Sequence, residues 1–356
     1  MRRTGAYLLF LGGLTLFTFL IVYHGFEDVA TTLAVSGWGV IWVALFHSVP
    51  LMMAALAWQR LLSSVQHVSL PVVVRARWIG ESINTLLPVA QVGGNLAKAR
   101  LIIFRGVAGA VAGGSVVVEL TVSVATQMVF TFMGVCLLFE RGGREVDRAV
   151  LVGLIIMALL VGGFILAQRL GLFGRLAHIF TRFATQRNRE FLVGGATALD
   201  HAILKIYRNR VGMLTAVLWR LGAWIVGVGE VWLALYFLAN PVSIRDAFLL
   251  ESLGQAVRAV AFMVPGALGV QEGGYLVLGA FLGLGPELSL ALSLIKRVRE
   301  LLLGIPGLIA WQITEGRHAW QRQRILSEPL DETPRRESRR DPGADFERAQ
   351  SGKPHC

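Results

Sequence analysis

Cysteine is nearly missing from this 356-residue chain: Cys136 lies inside an apolar run and Cys356 is terminal. Two such residues supply neither a metal spacing nor a disulfide framework. Charge is scarce too, at 16% of residues against 54% hydrophobic. With a mean hydropathy of +0.61, the chain does not read as a soluble domain. Enzyme signatures are lacking as well. There is no Walker loop, no Rossmann fingerprint in strand-turn-helix context, no Gly-x-Ser-x-Gly elbow and no His-Glu-x-x-His. The histidines, among them His24, His47, His67, His178 and His201, are scattered in spacing and read as edge or loop residues. Neither a metal, a cofactor nor a catalytic residue is expected from these patterns.

Long apolar runs are abundant. Spans are expected at 5–22, 37–58, 109–139, 150–168, 211–238 and 288–313, with broken segments at 76–105 and 244–283. Met1-Arg2-Arg3 followed by an uninterrupted apolar run reads as a retained first span rather than a cleaved leader. The net charge of +11 is uneven: residues 169–210 hold eight Lys or Arg against Glu190 and Asp200. The positive-inside rule accounts for that better than nucleic-acid binding does, and puts both termini in the cytoplasm. Arg60, Arg75 and Arg77 then fall in a cytoplasmic loop. Residues 172–183 repeat apolar side chains at helical spacing, suiting an anionic inner leaflet, although a solvated loop that only enforces topology reads as well. Trp38, Trp58, Trp78 and Trp311 sit near span ends and read as an interfacial belt.

The expected fold is therefore an all-α polytopic membrane protein with six full spans and two re-entrant broken-helix hairpins. Its transmembrane domain covers 1–314, in halves of about 1–140 and 150–314, followed by a polar, disordered tail at 315–356. Each half has three spans. Three is odd, so the halves are inverted and the hairpins enter from opposite faces. The hairpins also echo each other. Glu81-Ser82 leads to Pro88, Gln91 and Gly93-Gly94, and Glu251-Ser252 leads to Pro265, Gln271 and Gly273-Gly274. The competing reading is two short or tilted spans and a chance echo.

Charged groups at membrane depth are costly and point to function. Glu81 and Asn84 share a helix face. After Pro88 the helix restarts near Gly93, Gly94 and Asn95, whose free N–H groups could cradle a phosphate, with Lys98 and Arg100 following. The glycines could equally serve close packing. In the second hairpin Glu251, Gln255 and Arg258 form one polar stripe, and Arg258 needs a carboxylate, Glu251 or Glu272. Lys296 and Glu300 are spaced to pair, leaving Arg297 and Arg299 to find other anions; Glu119, Arg220 and Glu230 are further candidate partners. An ion-pair network that only fixes packing and a set of ligand contacts are equally open. The binding set drawn from this reading also includes Gly269 and Gln271.

Asn84-x-x-x-Pro88 with Gly93-Gly94 and Arg100, and Pro265-Gly266-x-x-Gly269-x-x-Glu272 downstream, resemble the lysylphosphatidylglycerol synthase transmembrane-region family of flippase-like proteins. The resemblance implies a multi-span bacterial inner-membrane protein that binds or moves an amphiphilic lipid between leaflets. It also singles out Arg100. The type member carries a soluble aminoacyl-transferase domain, which has no counterpart in the polar tail here. The wording from Pro265 to Gly274 is most similar to stand-alone members associated with hopanoid lipid biosynthesis. The expected partners are a phospholipid or hopanoid-type lipid, anionic membrane lipids and lipid-biosynthetic enzymes. Two other functions fit the same residues. One is an intramembrane enzyme that modifies a lipid head group with Glu81 or Glu272 as acid or base. The other is a scaffold for lipid-biosynthetic enzymes.

Overall fold

A computed structural model describes residues 26–87, 92–140, 162–171, 186–261 and 264–327, with Thr15, Phe19, Ile155 and Leu159. Most of these residues are helical, with no strand among them. In chain order the helices are α1 Phe26–Val35, α2 Gly39–Phe46, α3 Ser48–Leu62, α4 Leu70–Leu86, α5 Gly93–Ile103 and α6 Gly109–Glu140. There follow α7 Gln186–Arg208, α8 Arg210–Phe237, α9 Ile244–Val260, a 3-10 turn at Pro265–Ala267, α10 Val270–Phe281 and α11 Pro286–Ser327. Packing divides the chain into a unit Met1–Trp311, which holds everything below, and a unit Gln312–Cys356. Most of the expected spans 5–22 and 150–168, the segment 172–183, residues 88–91 and the end of the tail lie outside the described residues.

Three helical stretches are long and apolar enough to cross a membrane: Gly39–Leu62, Gly109–Glu140 and Arg210–Phe237, of 24, 32 and 28 residues. At about 1.5 Å per residue, each exceeds the roughly 30 Å hydrocarbon core. The expected last span lies inside the 42-residue α11, which carries Pro306 internally. Helix boundaries follow local chemistry. Asn209 caps α8 by accepting the Gly212 N–H at 2.9 Å, and Ser243 caps α9 through the Asp246 N–H at 3.2 Å. Leu87, which precedes Pro88, is extended (φ −105°, ψ 145°) and stops α4, since a residue before proline is pushed out of the helical region.

The order span, broken hairpin, span occurs twice: α2–α3, α4/α5, α6, and then α8, α9/α10, α11. The first spans of the two halves run antiparallel. A Cβ on Gly229 would lie 2.6 Å from the Phe46 ring, and one on Gly222 2.8 Å from Met53. Gly39 meets Phe237, and at the other end Asn209 Nδ2 donates to Ser64 Oγ at 2.9 Å. The Glu-Ser echo has a matching counterpart in packing. A Cβ on Gly307 of α11 would lie 2.8 Å from Ser82 Cβ, and one on Gly134 of α6 would lie 2.8 Å from Ser252 Cβ. Each hairpin thus seats its serine against a glycine of the other half's last helix, an arrangement of inverted repeats. The two breaks meet at their tips, where Gly266 (φ +62°) approaches the Thr85 carbonyl.

Two expectations need correction. The first hairpin begins at Leu70 rather than near 76, because Ser69 and Pro71 start a helix there. Arg75 and Arg77 are therefore helical, and the Arg77 side chain is only 12% exposed. Of the tryptophans read as a belt, Trp38 is 81% exposed, whereas Trp58 is buried and donates to Ser115 Oγ at 3.2 Å. Trp78 donates to the Leu303 carbonyl at 2.9 Å. Both indoles are used in packing. Part of the basic 169–210 stretch is also packed rather than solvated: Ile203 and Ile206 of α7 are buried with Val118 and Val122 of α6.

Candidate functional site

Both hairpins turn their polar faces to a cavity of about 310 Å³ between the two halves. The first hairpin contributes Arg77, Glu81, Asn84, Thr85, Asn95 and Lys98, and the second Glu251, Gln255 and Arg258. His47, Glu119, Arg220, Glu230, Arg299 and Glu300 close the ring from the spans. Leu51, Ala54, Leu120 and Val124 form an apolar wall.

The charges are wired over long sequence distances. Glu119 is a hub on α6: it bonds Arg77, accepts Lys98 Nζ at 2.6 Å and takes the Ser123 hydroxyl at 3.2 Å. His47, at the junction of α2 and α3, faces Glu230 through Nδ1 at 2.7 Å and Glu81 through Nε2 at 3.0 Å. Arg299 Nη1 lies 3.0 Å from both ring nitrogens, and its Nε opposes Glu230 Oε1 at 3.1 Å. Lys296 pairs with Glu251, whose other oxygen accepts Gln255 Nε2 at 2.8 Å. Glu300 binds Arg258, with Arg297 at 3.2 Å and Arg299 at 3.6 Å. At such burial an unmatched charge is expensive, so these pairs are conditions of folding as well as features of a site.

Several local pairings expected from spacing are replaced by pairings between helices. Arg258 finds Glu300 rather than Glu251 or Glu272, and adds Gln271 Oε1 at 3.1 Å. Lys296 and Glu300 do not pair with each other. The reason is geometric: α9 and α11 face each other across the cavity, which satisfies both charges between helices. Arg297 takes Glu272 at 3.0 Å and bonds the Gly266 carbonyl, so it pins the tip of the second hairpin.

Of the residues singled out from sequence, Glu81, Asn84, Asn95, Arg258 and Arg299 line the cavity. Gly93, Gly94, Arg100, Gly269, Gln271, Glu272 and Arg297 do not. The Gly94 N–H is taken by Asn84 Oδ1 at 2.8 Å, and a Cβ there would overlap the Gly80 carbonyl oxygen. Gly94 thus serves the close crossing of α4 and α5 rather than an open anion cradle. Gly269 (φ +74°) gives its N–H to Glu272 Oε2 at 2.7 Å. Ser293 adds a bond to Glu272 Oε1 at 3.1 Å, leaving this carboxylate fully buried and occupied. Arg100 is exposed and lies over the Phe104 ring at 5.2 Å, whereas Lys98 points inward. His47 and Arg77, edge and loop residues by their sequence setting, both line the cavity. The available signals were the i, i+4 spacing of Arg77 to Glu81 and a histidine inside an apolar run. No group of three or more His, Cys, Asp or Glu among the described residues is arranged to hold a metal ion.

Comparison with protein families bears on what this fold is for. The model of the lysylphosphatidylglycerol synthase TM region matches residues 8–307. The chain belongs to that family. Membership, together with the long apolar helices, makes it a multi-pass membrane protein involved in lipid handling. No curated protein and no solved structure matches it. The family match takes in both hairpins, all of the cavity-lining residues named above and α11 as far as residue 307.

Proposed function

We propose that the protein binds an amphiphilic lipid by its head group in the central cavity and passes it between leaflets, without altering it chemically. The observation that carries this is a polar chamber of about 310 Å³ assembled from both broken hairpins of an inverted repeat. Such sites at repeat interfaces are the usual place for transporter substrates. Its volume is at the low end of the roughly 300–1,000 Å³ of small-molecule pockets, which suits a head group with the acyl or terpenoid portion left in the bilayer. Alternate rocking of the halves about the Ser82–Gly307 and Ser252–Gly134 crossings would expose the chamber to either side. The working location is the bacterial inner membrane, with both termini cytoplasmic. Phospholipids and polar hopanoid-type lipids are the cargos to try first.

The test is leaflet-resolved exchange. Full-length protein goes into vesicles holding a fluorescent phospholipid or polar terpenoid lipid, and dithionite scores head-group exposure. Exchange should be faster with the intact protein and lost in Arg258→Ala, whose partner Glu300 keeps Arg297 and Arg299. Unchanged exchange across these lipids with folded protein would sink the transport reading. A changed lipid mass would make the protein an enzyme instead, and hairpin variants silent in every assay would favour a scaffold.

A further inference from the structure

We infer that the cavity selects a lipid whose head carries a phosphodiester anion and no ammonium group, with Arg220 as its anchor. This rests on the reading that the cavity is the lipid site. Arg220 differs from every other cation in the wall. Arg77, Lys98, Arg258 and Arg299 each have a carboxylate within 4.0 Å. Arg220 forms no ion pair among the described residues. Its Nε donates to Ser123 Oγ at 2.8 Å, and its guanidinium lies over the Trp224 ring at 4.2 Å. Those two contacts fix the plane of the fork and leave both Nη nitrogens without a partner among the described residues, in a cavity that Arg220 lines. A guanidinium held this way presents paired N–H bonds matched to two phosphate oxygens.

The carboxylates argue from the other side. Every lining glutamate already has a cation of its own: Glu81 has Arg77, Glu119 has Lys98, Glu230 has Arg299, Glu251 has Lys296, and Glu300 has Arg258. A zwitterionic head would bring an ammonium with no free carboxylate to receive it, into a chamber where an unpaired charge is costly. A simple diester supplies the one charge the wall is short of. Ser123 ties this anchor to the Glu119 hub, so Arg220 is held by the same network that organises the first hairpin.

The experiment is displacement of a fluorescent phosphatidylglycerol from full-length protein in nanodiscs. Competitors are short-chain phosphatidylglycerol, phosphatidylethanolamine, phosphatidylcholine and inorganic phosphate. Phosphatidylglycerol should compete at least tenfold better than either zwitterion. Arg220→Gln should erase that preference, and Arg220→Lys, which keeps the charge but not the fork, should keep part of it. Equal competition by the three lipids in wild-type protein overturns the charge selection while leaving a lipid site, and that comparison stands even if a variant fails to fold. An undiminished preference in folded Arg220→Gln overturns the anchor. Competition by inorganic phosphate as strong as that by phosphatidylglycerol overturns the lipid ligand itself, and with it the proposed function.

Discussion

Glu119 offers the sharpest test of how the charges are held. It is 3% exposed and faces two cations, Arg77 and Lys98, the latter 4% exposed. The two ends of this cluster are therefore not equivalent. Lys98→Met removes one cation and leaves a matched Arg77–Glu119 pair, at the further loss of the Lys98 contact with Trp58 at 5.3 Å. Glu119→Gln keeps the shape but leaves two buried cations facing an amide, with only Glu81 near Arg77, at 4.0 Å. Orphaning one member of a buried pair typically costs about 3–5 kcal/mol, so Glu119→Gln should cost at least that much. Lys98→Met should cost about 1.5 kcal/mol, the low end for a hydrogen bond to a charged group. The gap of about 1.5–3.5 kcal/mol corresponds to roughly tenfold to a few hundredfold in the folded-to-unfolded ratio. The double variant should be more stable than Glu119→Gln alone, because it removes one of the two orphans, a non-additivity expected of groups in contact. Reversible SDS unfolding in mixed micelles reads this out, with buried Trp58 as a fluorescent reporter beside the cluster. Equal costs for the two single variants, or a double variant as unstable as their sum, would refute the hub.

Other consequences follow from close packing. Gly94→Ala places a methyl group on the Gly80 carbonyl, and overpacking of about 1–3 kcal/mol should lower the thermal midpoint. Gly273→Ala, where nothing lies within 4 Å, should raise it by the roughly 0.5–1 kcal/mol of helix propensity; the reverse order would contradict the α4/α5 crossing. Gly307→Leu and Gly134→Leu occupy equivalent crossings and should impair lipid exchange alike, measured in the dithionite assay. A defect in one alone would break the claimed equivalence of the halves.

Much of the architecture was legible because it is written in backbone chemistry. Pro88 and the Gly266–Gly269 turn announce the two breaks, and apolar length announces α6 and α8 to within a residue or two. The wiring was not legible. Spacing suggests Lys296 with Glu300, four residues apart, but nothing in a sequence reports that Lys296 will bond Glu251, 45 residues away on another helix. Arg77 was assigned to a loop because charge argues for water until a partner such as Glu119 is seen, 42 residues away. His47 carries only the weak signal of a histidine inside an apolar run. Family wording favours Arg100, yet two residues along a helix is about 200° of rotation, and it is Lys98 that faces inward.

The same wiring has a bearing on biogenesis. His47 emerges with the first spans, but its partner Glu230 follows 183 residues later and Arg299 252 residues later. At synthesis rates of about 5–20 residues per second, those delays are roughly ten to fifty seconds. Glu81 and Arg77 find their partners within the first half, at His47 and at Glu119. The His47 ring must therefore be sheltered, by the insertion machinery or by water, until the second half brings Glu230 and Arg299. Assembly of the cavity and completion of the fold are one event, timed by the last helix to leave the ribosome.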